Sequence, residues 1–366
     1  MKKLPFFFLL GLTVILLSSC SDQGNTKMEK SMNMDVWPVD IAQDWYNDQP
    51  WIVGCNFTPS SAINQIEFWQ ESTFDPETID REAGYAGGIG FNTFRVYLHY
   101  LVWAQNPEKM KQRMNQFLDI TSKHGIRVMF VLFDDCWNSD FTLGKQPDPR
   151  PGVHNSGWVQ CPGGDNKITD MAFRPVLEAY TKDVIQSIKD DKRVLMWDIY
   201  NEPGNSGYKN KSLSLLSDAF GWAHSCHPSQ PVTAALWNFS TDFTQLDSCQ
   251  VVNSDIITFH NYSPAKNMVT MIKDLQKYSR PLVCSEYMAR TNGSTFRDNL
   301  PVLKKYNVGA INWGLVSGKT NTIFPWGSKE GTTEPDLWFH DIFRVDGKPY
   351  DTSETRLIKK LTGKNI

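Results

Sequence analysis

Val194-Leu195-Met196-Trp197-Asp198-Ile199-Tyr200-Asn201-Glu202-Pro203 reads as a strand that ends near Tyr200 and runs into a loop. Helical patterns flank it at 170–190 and 212–225. The same alternation of short β-branched or aromatic runs with helical segments recurs along the chain, which is the signature of strand-crossover-strand units and a parallel sheet. The runs are Trp51–Asn56, Asn92–Leu98, Arg127–Phe133, Val194–Tyr200, Val232–Trp237, Ile256–His260, Leu282–Glu286 and Ala310–Leu315. Eight such runs predict a closed (β/α)₈ barrel, an α/β fold.

The intervening segments support that reading. Pro107 to His124 opens with proline in its first turn, places Met110, Met114, Phe117 and Leu118 along one face and stops at Gly125. Segments 76–86, 265–279, 294–306 and 353–362 repeat the pattern. No composition break divides the chain, so residues 36–366 are expected to form one domain. A plain barrel needs about 250 residues. The surplus lies in 134–170 and 317–340, after the third and eighth runs and hence at the C-terminal mouth, where barrels carry binding and chemistry. Trp137, Trp158, Trp326 and Trp338 sit in these two loops.

Composition narrows the partners. Of 366 residues, 40% are hydrophobic and 13% aromatic, enough for a large core. Lys and Arg number 37 against 40 Asp and Glu, a balance that argues against nucleic acid, whose binders carry excess positive charge. Thirteen tryptophans suit flat contact with a neutral ligand such as carbohydrate. Lys2 and Lys3 precede an apolar run from Leu4 to Leu17, too short to span a bilayer and shaped as a signal peptide. Leu17-Ser18-Ser19-Cys20 resembles a bacterial lipobox, which implies a leader at 1–19, lipidation of Cys20 and a polar tether over 20–35. The expected location is the bacterial cell envelope, with the membrane reached only through that lipid. The six remaining cysteines are sparse, and Cys136 with Cys161 is the one pairing the loop arrangement suggests.

The chemistry resides in carboxylates that end strands. Alternation puts Met196, Asp198, Tyr200 and Glu202 on one face and the apolar Leu195, Trp197 and Ile199 on the other, toward the helices. Glu202 is thereby aimed at the barrel axis at its open end. The seventh run does the same with Leu282, Cys284 and Glu286. Glycoside hydrolysis requires two such groups, one to protonate the leaving oxygen and one to attack or to activate water, with environments that separate their pKa values.

With these features the chain resembles the retaining (β/α)₈ glycoside hydrolases of the clan containing family 5. The residues that carry the resemblance are Asn201-Glu202-Pro203, Cys284-Ser285-Glu286-Tyr287, Arg95, His260-Asn261-Tyr262 and Trp313. It implies that Glu202 is the general acid/base and Glu286 the nucleophile. Arg95 would place a positive charge near Glu286, or else pair with Asp198. Asn201 would bond the sugar 2-hydroxyl, Tyr262 would donate to the nucleophile, and His260 would bind sugar or orient Glu202. Trp313 would form a sugar platform. The chain departs from the family at Asp134-Asp135-Cys136-Trp137, where a histidine pair is common, and Asp135 and Trp137 are expected to touch substrate there.

The competing reading is a non-catalytic glycan-binding lipoprotein on the same scaffold. It could dispense with either glutamate, and both are present. A metal-dependent hydrolase would want His-x-His on the first run, which reads Ile52-Val53-Gly54-Cys55-Asn56. No metal or other cofactor is called for. The expected partner is a β-linked glycan, and the chain is expected to be a monomer.

Overall fold

The computed structural model describes residues 35–365. The expected leader, Cys20 and all but the last residue of the tether fall outside that range. The strands are β1 Val53–Asn56, β2 Thr93–Tyr97, β3 Arg127–Asp134, β4 Val194–Asn201, β5 Val232–Thr233, β6 Ile257–His260, β7 Leu282–Glu286 and β8 Gly309–Trp313. They are parallel, in the order β5-β4-β3-β2-β1-β8-β7-β6, which is chain order wrapped into a ring. Leu236 closes the ring: its N–H donates to Thr258 O at 3.0 Å, and its carbonyl accepts from His260 N at 2.8 Å. The fold is the (β/α)₈ barrel the sequence predicts.

Helices α1 Val39–Asn47, α2 Gln65–Trp69, α3 Pro76–Gly88, α4 Tyr100–Gln105, α5 Pro107–Lys123 and α6 Asp165–Thr169 belong to the first half. The second half carries α7 Arg174–Ile188, α8 Leu213–Ser225, α9 Thr244–Asn253, α10 Ala265–Leu275, α11 Phe296–Lys305 and α12 Thr352–Thr362. Local chemistry sets their ends. Asn106 caps α5 by accepting from Lys109 N at 3.1 Å ahead of Pro107, and Asp75 does the same for Thr78 N at 3.0 Å ahead of Pro76 in α3. Helix α9, for which the sequence reading predicts nothing, has a weak apolar face and is held by packing of Leu246 and Cys249.

Two expectations about strands are corrected. The fifth strand stops at Thr233, short of Trp237, because side chains take over its ladder: Ser254 Oγ accepts from Ala234 N at 3.3 Å, and Gln250 Nε2 donates to Ala235 O at 2.5 Å. On β4 a register shift opposite Val128 and Met129 lets Leu195 leave the helix-facing set. Leu195 packs instead with Met129, Met196, Ile256, Val283 and Ile311 at the barrel floor. Ala42 and Tyr46 of α1 cap that cluster, and Tyr46 Oη donates to Asn307 O at 2.9 Å. Each large apolar side chain taken from water there contributes about 1.5–3 kcal/mol. The floor is thus sealed, and access is confined to the C-terminal mouth.

The expected Cys136–Cys161 disulfide is not formed. Cys136 Sγ faces Glu202 at 3.2 Å, whereas Cys161 Sγ accepts from Tyr100 N at 3.5 Å, so the two thiols serve different neighbours.

Candidate active site

Arg95, in the middle of β2, organises the mouth of the barrel from below. It is fully buried, and such a charge is tolerable only with partners for its donors. Nε and Nη2 both reach Asp198 Oδ2, at 2.9 and 2.7 Å, and Nη2 also donates to Asn201 Oδ1 at 2.7 Å. Nη1 donates to Asn56 Oδ1 at 2.8 Å, Tyr97 Oη at 2.6 Å and Glu286 Oε1 at 2.7 Å. The two partners weighed for Arg95, Glu286 and Asp198, are therefore engaged together.

Glu286, the last residue of β7, receives two further donors: Tyr97 Oη at 3.0 Å on Oε1 and Tyr262 Oη at 2.7 Å on Oε2. Three donors on one carboxylate, one of them a guanidinium, fix its orientation and compensate its negative charge. Glu202 sits opposite in a different setting. It follows β4 with φ 44, a left-handed backbone that costs a non-glycine residue strain of order 1–3 kcal/mol. That turn brings Glu202 to the axis by a route other than simple alternation. Asn201 joins the axial network, while Tyr200 turns away to pack tilted against Phe133 and to donate to Asp135 Oδ1 at 2.7 Å.

The partners of Glu202 carry no fixed charge. Asn205 Nδ2 donates to Oε2 at 2.5 Å, Cys136 Sγ donates to the same oxygen at 3.2 Å, and His260 Nδ1 lies 2.9 Å from Oε1. Burial raises the Glu202 pKa above the usual carboxylate range, against the opposing pull of Cys136, Asn205 and Arg95. Burial also lowers His260 to about 4, so its imidazole is neutral near pH 7. One oxygen from each glutamate and a ring nitrogen of His260 all lie within 4.8 Å of one another. Such a trio could hold a small cation. However, Arg95 at 2.7 Å and two phenols already occupy the Glu286 oxygens, and a dication there would face a guanidinium.

These groups open into a cavity of about 380 Å³. Its walls include Asn201, Glu202, His260, Tyr262, Glu286, Trp313 and Trp137, so the structure brings those predicted residues together. Trp137, 48% exposed, stands at the rim, and Trp313 ends β8 inside. Arg95 lies one layer below the cavity.

Asp135 is the exception. It is fully buried and spends its carboxylate on Tyr200 Oη, Gly204 N at 2.7 Å and Ser212 Oγ at 2.5 Å, which leaves it no route to substrate. Burial pushes it up to about 7. Asp134 likewise points inward, accepting from Asn201 Nδ2 at 2.9 Å and Trp158 Nε1 at 2.8 Å, and burial pushes it up to about 8. The departure at 134–137 thus holds up the site's neighbours instead of presenting charge to a sugar.

Sequence reasoning missed Asn205, Cys136, His154, Asn155 and His340, all of which line the cavity. Asn205 follows Glu202 by three residues and was legible in principle. His154 and His340 come from the two long mouth loops and carried no local signal.

No protein-family model and no curated protein matches the chain. Solved structures do resemble it. A glutamate-to-alanine variant of GH5_18 from Streptomyces cattleya in complex with Manb1-4GlcNAc superposes with TM-score 0.61 at 12% identity, over 85% of this chain and 80% of that one. The exo-beta-1,4-mannosidase Op5Man5 from Opitutaceae bacterium strain TAV5 gives 0.60 at 13% identity, over 85% and 59%. The endo-beta-1,4-mannanase from Thermotoga petrophila gives 0.58 at 14%, over 87% and 77%. At these identities the likeness establishes the barrel fold.

Proposed function

We propose that the chain is a retaining β-glycoside hydrolase with Glu286 as nucleophile and Glu202 as general acid/base. The observation that carries this reading is the contrast between two facing carboxylates whose nearest oxygens lie within 4.8 Å. One is surrounded by strong donors and the other by neutral groups. Retaining enzymes keep the two carboxyls about 5–5.5 Å apart, and inverting ones need about 6.5–9.5 Å to admit water.

Glu286, oriented by Arg95, Tyr97 and Tyr262, attacks the anomeric carbon while Glu202 gives its proton to the departing oxygen. Ester formation removes the negative charge of Glu286. That lowers the proton affinity of Glu202, which then takes a proton from the water that hydrolyses the intermediate. Trp313 supplies an apolar face for the sugar ring, and Asn201, beside Glu202 in the cavity wall, is assigned to the 2-hydroxyl. The fold likeness to structures named as a mannanase and a mannosidase supports the reading as analogy.

Hydrolysis of a panel of aryl β-glycosides by wild type, with loss of turnover in Glu286→Ala, is the expected result. The anomeric configuration of the first-formed product reads out retention. Glycan binding without turnover in the wild type would instead favour the non-catalytic scaffold. From the Leu17–Cys20 sequence we further propose lipid anchoring in the bacterial envelope, tested by radiolabelled fatty acid incorporation that Cys20→Ala abolishes.

A further inference from the structure

The two sides of the cavity are built differently. A proton leaving Glu202 goes to the glycosidic oxygen, so the leaving group lies on the Glu202 side and the retained sugar on the Trp313 side. Past Glu202 the cavity continues along Trp237 to Phe239, which is 49% exposed. Past Trp313 it meets a wall.

That wall is made of the segments after β1, β3 and β8, joined by hydrogen bonds. Asn155 N donates to Thr320 O at 2.8 Å, Gly331 N to Pro151 O at 2.8 Å, and Asn321 Nδ2 to Arg150 O at 2.9 Å. Lys319 N donates to Ser60 O at 3.1 Å, and Asn64 Nδ2 reaches Gly157 O at 2.9 Å. Gly318 permits the approach, because a Cβ there would lie 2.5 Å from Ser60 Cα. The space left behind Trp313, bordered by Asn56, Tyr97, Trp158 and Thr320, is about 20 Å³. A single water needs about 10–15 Å³, so no sugar ring fits in the space behind Trp313.

The inner face of the wall presents neutral acceptors. His340 is fully buried, and its Nδ1 lies 2.6 Å from Met288 O. A carbonyl can only accept, so the ring proton sits on Nδ1, and Nε2, which has no partner, offers a lone pair. His154 is held the same way by Phe324 O, 2.7 Å from its Nδ1. Burial keeps both rings neutral, with His154 lowered to about 4. Asn155 Oδ1 is buried and has no partner. All three residues line the cavity, and among the described residues no lysine or arginine does. Acceptors without a cation suit sugar hydroxyls and disfavour a sugar carboxylate.

Resting on the reading of Glu202 and Glu286 given above, we propose that the enzyme is exo-acting. It removes one neutral sugar from the non-reducing end of a β-linked oligosaccharide, and that sugar's free hydroxyls donate to His340 Nε2, His154 Nε2 and Asn155 Oδ1. In balance, the anomeric C–O bond breaks, the anomeric carbon gains the hydroxyl of one water, and the leaving oxygen gains its proton.

The test compares p-nitrophenyl β-monosaccharides of glucose, mannose, galactose and xylose with the matching β-1,4-disaccharides, and follows β-1,4-linked pentasaccharides labelled with ¹⁸O at the reducing end. Direct aryl release is expected to be at least about tenfold faster from the monosaccharide. Early pentasaccharide products should be one unlabelled monosaccharide and a labelled tetrasaccharide. Asn155→Ala should lower kcat/KM about tenfold, the scale of a lost hydrogen bond to substrate. Early disaccharide or internal fragments, or equally fast aryl release from the disaccharide, would overturn exo action while leaving the glycosidase reading intact. Absence of turnover on every substrate would overturn both.

Discussion

Replacing Arg95 by methionine tests the electrostatic frame on which the site rests. The guanidinium is fully buried and bonds two buried carboxylates, Asp198 and Glu286, as well as the Asn56 and Asn201 side-chain oxygens. Methionine fills much of the volume but leaves Asp198 in an apolar setting with no counter-charge. Breaking a buried pair by removal of one partner costs about 3–5 kcal/mol, so Arg95→Met should lose about that much at pH 8. The loss should depend on pH with a definite sign. Burial already raises the Asp198 pKa and Arg95 opposes that rise, so removal of Arg95 raises it further. A folded-state pKa above the unfolded value means that the native state binds more protons, and stability then falls as pH rises through the unfolded value and up to the folded one. The urea midpoint of Arg95→Met, followed by tryptophan fluorescence, should therefore fall more steeply between pH 5 and pH 8 than that of wild type. Arg95→Met/Asp198→Leu should recover part of the stability, though not activity. A loss below about 1 kcal/mol at pH 8, or a midpoint that rises with pH, would refute the reasoning, because a solvated pair contributes only that little.

Glu202→Gln should retain kcat/KM for dinitrophenyl glycosides, whose leaving group needs no proton, and should lose about 10²–10⁴-fold in kcat/KM on unactivated glycosides, while kcat falls on both because the attacking water loses its base. Cys136→Ala removes a donor that lowers the Glu202 pKa, so the alkaline limb of the kcat/KM profile, where the acid loses its proton, should move to higher pH. A limb that stays fixed or moves down would contradict the contact. Asp135 is raised to about 7 by burial, so in wild type it favours the native state less as pH climbs from its unfolded value toward 7; Asp135→Asn should flatten that part of the stability profile. Because Asp135 does not reach the cavity, KM in that variant should change less than a few-fold, whereas a large rise in KM would restore it as a substrate contact.

What was legible from the chain alone was whatever depends on local periodicity. Runs such as Arg127–Phe133 and Leu282–Glu286 announce buried strands because most of their side chains are apolar, and their spacing by helices leaves the parallel barrel as the economical closure. A glutamate at the C-terminal end of each of two strands must emerge at the mouth, whatever the loops do, so Glu202 and Glu286 could be named from position. Arg95, Tyr262 and Trp313 followed from strand parity and resemblance. Tertiary structure decided what parity could not. A register shift moved Leu195 to the floor, Tyr200 turned outward to Asp135, and a left-handed Glu202 followed Asn201 to the axis. It also decided the fate of Asp134 and Asp135, since an acid after a strand can face either the cavity or the packing behind it, and hydrogen-bond partners 67 and 69 positions away made the choice. The histidines of the mouth wall carry no signature in the sequence. Their tautomers are set by backbone carbonyls 52 and 170 residues distant, brought near only when the loops close over the barrel.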